Sequence, residues 1–273
     1  MSNTLLCWPD ETLNSAVTFS GGSWLSTLPL TNLQNHLLSK VCQSTNATSE
    51  YTQFVNTYSA AINVDVIHIP NHNISLAGTI RVRGYSNSGL TTLVYDTGTQ
   101  YVWPQTFTAT MVTEWPNNWT FVLPTRQTAR YWKVEIVDTT NPAGFILLGR
   151  CVLGTISLNP NVGIPEGAEL GYESRTTVVE SLGGVPWYNR MALPRRCFIG
   201  TFPRLTATEK QKALIMQKTM DTSGELLFVR NKNDNATDML LNAFLCVPRK
   251  VSPLSLAYLS ASEMAVEFAE NVA

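Results

Sequence analysis

The sequence predicts a mainly β protein: a β-sandwich followed by a second β-rich domain with a single helix. Three observations carry this. Short apolar or β-branched runs recur every 10–20 residues with turn residues between them, the spacing of an all-β sandwich. Several runs alternate with period two, as half-buried strands do. Only one stretch, opening at Thr206, has a strong helix-start signature. At 273 residues, with 44% apolar and 10% aromatic content, the chain is long enough for a real core, and its 14% charged residues fall well below the roughly 25% of an average soluble domain.

Residues 1–60 hold few charges and no sustained period, and read as an N-terminal arm and entry segment, with Asn32–Leu38 a short helix presenting Leu33, Leu37 and Leu38. From Ile62 to Ile69 a β-branched run ends at Pro70-Asn71. Gly78–Gly84 alternates Ile80 and Val82 against Arg81 and Arg83, a half-buried antiparallel strand. Leu93–Asp96, Trp119–Pro124 and Ala129–Asp138 are expected as three more strands, and Phe145–Leu153 follows the turn at Asn141–Gly144. Residues 155–185 form a looser bridge, so the domains are expected at 1–157 and 158–273. In the second, Thr176–Ser181 and Arg195–Leu205 read as strands. Thr206 with Glu209 three residues on is a capping box, which starts a helix to about Met220, with Gly224 stopping it. Glu225–Val229, Phe244–Val247 and the alternating Met264, Val266 and Phe268 complete the set.

Function classes are narrowed by what is absent. No H-E-x-x-H, G-x-S-x-G, G-x-x-x-x-G-K-[ST] or G-x-G-x-x-G occurs, so no motif points to metalloprotease, hydrolase or nucleotide chemistry. The acids Asp10, Glu11, Glu166, Glu169 and Glu173 are sparse, read as a flexible N-terminal segment and solvated linker charges rather than a catalytic pair. His68 and His72 flank a bend, and His36 stands alone. The five cysteines are scattered with no C-x-x-C, which suggests buried thiols. No enzyme activity, cofactor or metal is expected. The N-terminus lacks a signal-peptide pattern and no run reaches 18 apolar residues, so neither export nor a membrane span is expected. The sequons at Asn46, Asn73, Asn118 and Asn235 read as chance matches on surface loops. With 19 basic and 20 acidic residues, no overall field favours nucleic acid.

Two surfaces stand out. Arg190, Arg195, Arg196, Arg204, Lys210, Lys212 and Lys218 face only Glu209 in their span. A subunit interface is favoured over a solvated helix face or a nucleic-acid site, with Trp187, Tyr188, Arg190, Arg195, Arg196 and Arg204 as candidate contacts, since tryptophan, tyrosine and arginine dominate interface hot spots. Loop aromatics between 101 and 119, chiefly Tyr101, Trp103 and Trp115, are the candidate contacts of the alternative, a glycan-binding module.

Residues 60–153 resemble a galactose-binding-like (discoidin-type) jelly roll, through Val64–Asn73, Gly78–Ser86, Ala129–Ile136 and Gly149–Gly154. The opening Leu28–Leu33 with Leu38–Val41, and, in the second half, Leu170–Glu173, Gly183–Val185, Pro194–Arg196, the capped helix and Thr222–Val229, are similar to distal-tail and baseplate proteins of tailed bacteriophages. The resemblance implies a structural subunit of the virion tail tip, made in the host cytoplasm. It implies a homo-oligomeric ring, hexamer or trimer, between tail tube and baseplate hub, touching the tail tube, hub and tape measure proteins. The jelly roll would decorate the ring's outside.

Overall fold

The computed structural model describes residues 3–164, 167–255 and 262–272. Met1 and Ser2 of the N-terminal segment and Pro165 and Glu166 of the expected bridge lie outside these described residues. The fold is mainly β throughout. It divides into two compact units, one of residues 3–157 with 226–244, the other of 158–225 with 245–272. Residues 226–244, within the expected block 158–273, group with the first unit.

The reason lies in Leu5–Asp10. Its leading residues Leu5, Leu6 and Cys7 are buried, so the segment cannot be left as an arm; it must pair. It lies antiparallel to Leu226–Val229, with Leu5 opposite Val229 and Cys7 opposite Leu227. All four residues of that second strand are buried. Asp10 is not a flexible surface acid. Its carboxylate accepts from Arg150 Nη2 at 2.8 Å, and the Arg150 side chain is itself wholly buried.

In the first unit the strands run in the order Leu226–Val229, Leu5–Asp10, Val152–Leu158, Phe54–Pro70, Asn118–Val137, Thr79–Tyr85, Leu93–Asp96. Phe54–Pro70 and Asn118–Val137 form the long central antiparallel pair. The expected strands at 119–124 and 129–138 are thus one strand. The register shift between Val64 and Val66, opposite Gln127 and Val122, carries the pair past Pro124, which is how a bulge absorbs a residue that cannot donate to the ladder. The alternation at 79–85 is as read: Ile80 and Val82 are buried and Arg81 and Arg83 half-buried. The core gathers Phe54, Trp103, Trp119, Trp132, Ile136 and Leu153, among others. Gly84 stands opposite Trp132, and a β-carbon there would come within 3.2 Å of the indole ring, a tight approach that glycine avoids.

Other expected elements differ too. The single helix expected in 158–273 is joined by a second, Ala236–Asn242. The helix at 32–38 is a 3-10 turn at Leu30–Gln34, leaving Leu37 exposed while Leu33 and Leu38 are buried. The strand expected at 145–153 is divided into Leu147–Leu148 and Val152–Leu158. Asn118, read as a surface sequon, is buried, and its Nδ2 donates to the Ala243 carbonyl at 2.8 Å.

In the second unit the sheet order is Glu169–Glu173, Arg195–Leu205, Ser262–Glu270, then the 245–248 part of Ala243–Pro248. Phe198, Phe202, Met264 and Phe268 fill its inner face, and the rings of Phe198 and Phe268 stack. The helix Ala207–Met220 begins at Thr206 with both capping-box bonds present; it ends at Asp221, ahead of Gly224. It buries Ala213, Met216 and Met220.

Candidate functional site

The strand pair at the edge of the second unit's sheet continues beyond it. Glu169–Glu173 pairs antiparallel with 195–199, from Glu169 opposite Ile199 to Glu173 opposite Arg195. After a short irregular stretch the same two strands re-pair as Thr176–Glu180 with Pro186–Arg190, a separate two-stranded sheet. The chain reverses at 181–185, where the Gly184 N–H donates to the Ser181 carbonyl and the Val185 N–H to Ser181 Oγ. Gly184 has φ +76°, a left-handed conformation that glycine adopts without a steric penalty.

Every residue from Thr177 to Met191 is exposed. The hairpin is thus left uncovered among the described residues, although it carries valines, a tryptophan and a tyrosine. Trp187 is 67% and Tyr188 72% exposed. Val178, Val179, Val185, Met191 and Leu193 are also exposed. Register separates the faces: Val179 lies opposite Trp187 and Thr177 opposite Asn189, while Val178 faces Tyr188 and Glu180 faces Pro186. The Trp187 face of the paired residues thus carries no charge. The Tyr188 face carries Glu180 and Arg190.

The root of the hairpin is held by ion pairs. Arg195 Nε donates to Glu173 Oε2 at 2.8 Å, and Arg249 bridges Glu173 and Glu267. The bond from Arg195, with Arg249 beside it, holds the Glu173 carboxyl below the usual carboxylate range. Arg249, with Lys250, does the same for Glu267. Arg196 is 3% exposed, its guanidinium paired with Glu270 and its N–H donating to Glu270 Oε2 at 2.9 Å.

These positions sort the six interface candidates. Trp187, Tyr188 and Arg190 come together on the hairpin. Arg195 and Arg196 do not point outward as free anchors; they are committed to Glu173 and Glu270, because basic residues beside an acidic partner strand satisfy their charge within the sheet. Arg204 is exposed at a backbone φ of +53°, beside the register shift between Phe202 and Leu205. The apolar half of the hairpin was not singled out from the sequence. Its signal was available: Val178-Val179 and Val185 flank Gly183-Gly184 in a stretch otherwise read as a bridge.

The glycan candidates separate. Trp103 is 1% exposed, with its indole N–H donating to the Ile74 carbonyl at 2.8 Å, so it is a core side chain. Trp115 is half-buried and packs edge-on against Phe107, with 4.9 Å between ring centroids. Tyr101 alone of the three is open to solvent. His68 and His72 are both buried; His68 Nδ1 bonds Thr120 Oγ1 at 2.8 Å, and His72 Nδ1 accepts the Ile74 N–H at 3.3 Å. Burial lowers the His72 pKa to about 4. Burial also pushes the thiols of Cys7, Cys42 and Cys151 up. Among the described residues no group of three or more His, Cys, Asp and Glu is placed to hold a metal, and no helix is long and apolar enough to cross a membrane.

No family model and no curated protein matches the chain. Solved structures do. The family 32 carbohydrate-binding module from Clostridium perfringens NanJ, in complex with galactose, matches at 15% identity over 56% of this chain and 99% of that one, with a TM-score of 0.39. A family 32 module from a family 31 glycoside hydrolase of Clostridium perfringens matches at 13% identity over 54% of this chain and 100% of that one, with a TM-score of 0.40. The lectin domain of lectinolysin, complexed with Lewis B antigen, matches at 15% identity over 54% and 97% of the two chains, with a TM-score of 0.38. These neighbours are galactose-binding-like jelly rolls.

Proposed function

We propose that the protein is a non-enzymatic structural subunit that works by self-association, and that it is a tail-tip component of the kind its sequence resemblance implies. One observation carries the reading: a hairpin whose paired strands, 176–180 and 186–190, show valine, tryptophan and tyrosine to solvent on both faces. A two-stranded hairpin is marginal in water by itself. Clustered exposed apolar side chains mark an interaction surface, and Trp, Tyr and Arg are the residues that anchor one. Negative-stain microscopy of the purified full chain tests this, with closed rings of three or six copies as the expected image. Mass spectrometry of purified virions tests the placement in a phage tail. A chain that stays single at every concentration, or that is missing from virions, overturns the corresponding half of the reading.

A second reading, glycan recognition by the first unit, follows from the matched modules that are bound to galactose and to Lewis B antigen. In this chain it would have to use Tyr101, the one open ring of the three candidates. A glycan array probed with the full chain separates the two: binding that disappears in Tyr101→Ala supports glycan recognition. Trp103→Ala is uninformative because it opens the core.

A further inference from the structure

We infer that the hairpin of one copy seats Trp187 in a groove at the opposite end of the same β-ribbon on the next copy. The inference rests on the self-association reading and supplies the receptor that reading lacks. The groove has a volume of about 270 Å³; the small residues Gly167, Ala168, Gly200 and Ala265 line it together with the charged Glu169, Lys250 and Glu267. Small-molecule sites run about 300–1,000 Å³, so this one falls short of a ligand cavity and suits one large side chain. Its residues 199–201 lie on the strand that leads back from the hairpin.

Three features commit the groove to a second copy of this chain. The hairpin cannot fill its own groove. From the Glu169–Ile199 pair to the Val179–Trp187 pair is a run of ten residues along one ribbon, up to roughly 33 Å at about 3.3 Å per residue, and the hairpin's exposure shows that it has not folded back. A knob at one end and a socket at the other is the layout of a heterologous contact, which repeats head to tail and closes into a ring when the rotation permits. The surfaces also match in character. The uncharged hairpin face, Val179 and Trp187 with Thr177 and Asn189, suits the small residues of the groove. Lys250 in the lining is paired with Glu267, so exposed Glu169 is the acid left to face Arg175, exposed at the hairpin's root, an arrangement that orients the encounter.

Mixing two variants tests this. Trp187→Ala removes the knob and keeps the socket; Ala265→Arg, at an exposed position opposite Thr201, fills the socket and keeps the knob. Each alone should sediment as a monomer at concentrations tenfold above those at which the parent assembles. Mixed, they should form a 1:1 heterodimer and nothing larger, because one productive contact remains. If Ala265→Arg lowers the melting temperature, Thr201→Arg takes its place. Assembly of the groove-filled variant like the parent overturns the inference and leaves self-association standing, as does a mixture with no heterodimer. A parent chain that is monomeric throughout overturns both.

Discussion

Trp132 and Trp187 are the same side chain on antiparallel strands in the two units, and they meet opposite fates. Trp132 is wholly buried, its indole N–H bonded to the Ala129 carbonyl and a glycine set opposite to admit the ring. Trp187 is two-thirds exposed and shares its hairpin with exposed valines and a tyrosine. The arginines repeat the contrast within one unit: Arg196 is buried against Glu270, whereas Arg190 is exposed. Residue type therefore says little about role here. Whether the surrounding strands close over the side chain decides it, and over residues 177–191 they do not.

The contrast can be broken by substitution. Trp132→Ala should cost about 3–5 kcal/mol in urea unfolding, the usual penalty for emptying a large aromatic site. A cost below 1 kcal/mol would mean that the ring is not part of a packed core. Arg196→Ala should cost about 3–5 kcal/mol or slightly less, since it strands the Glu270 carboxylate in a mostly buried setting. If instead it left stability unchanged and abolished assembly, Arg196 would be an interface residue after all.

His72 gives the buried region a pH signature. Its folded pKa of about 4 lies below its ordinary 6.5, chiefly because burial disfavours the charged ring. The unfolded chain thus binds the extra proton between these values, and stability rises with pH across that window. Stability is complete above pH 6.5 and falls by up to about 3 kcal/mol on acidification to pH 4. Melting of His72→Gln should be flatter from pH 6.5 to 4.5 than that of the parent; an identical slope would remove His72 as the cause.

The smallest effect is expected on the hairpin. Trp187→Ala and Arg190→Ala should each shift the monomer's unfolding free energy by less than about 0.5 kcal/mol, measured at concentrations too low for assembly. A larger loss would show that the hairpin is tied to its own chain.

Much of the architecture was legible because it is local. The alternation of Ile80 and Val82 with Arg81 and Arg83, the capping box at Thr206 and the run at 195–205 each declare their element within a few residues, and the structure has them at Thr79–Tyr85, Ala207–Met220 and Arg195–Leu205. What escaped was non-local. That Leu5–Asp10 pairs with Leu226–Val229 depends on two apolar tetrads more than 200 residues apart, and no local pattern encodes that meeting. The site was half legible for the same reason. Trp187, Tyr188 and Arg190 could be picked by type, but that Arg195 and Arg196 are satisfied by Glu173 and Glu270, and that Trp103 is enclosed while Tyr101 is not, follows from contacts between segments distant in the sequence.

Sedimentation velocity of the full chain, parent beside a Trp187→Ala and Tyr188→Ala double variant of equal thermal stability, is the most direct test of a protein that acts through its uncovered hairpin. The parent should sediment as a discrete assembly and the variant as a monomer. Identical sedimentation of the two, whether both assembled or both single, would contradict it.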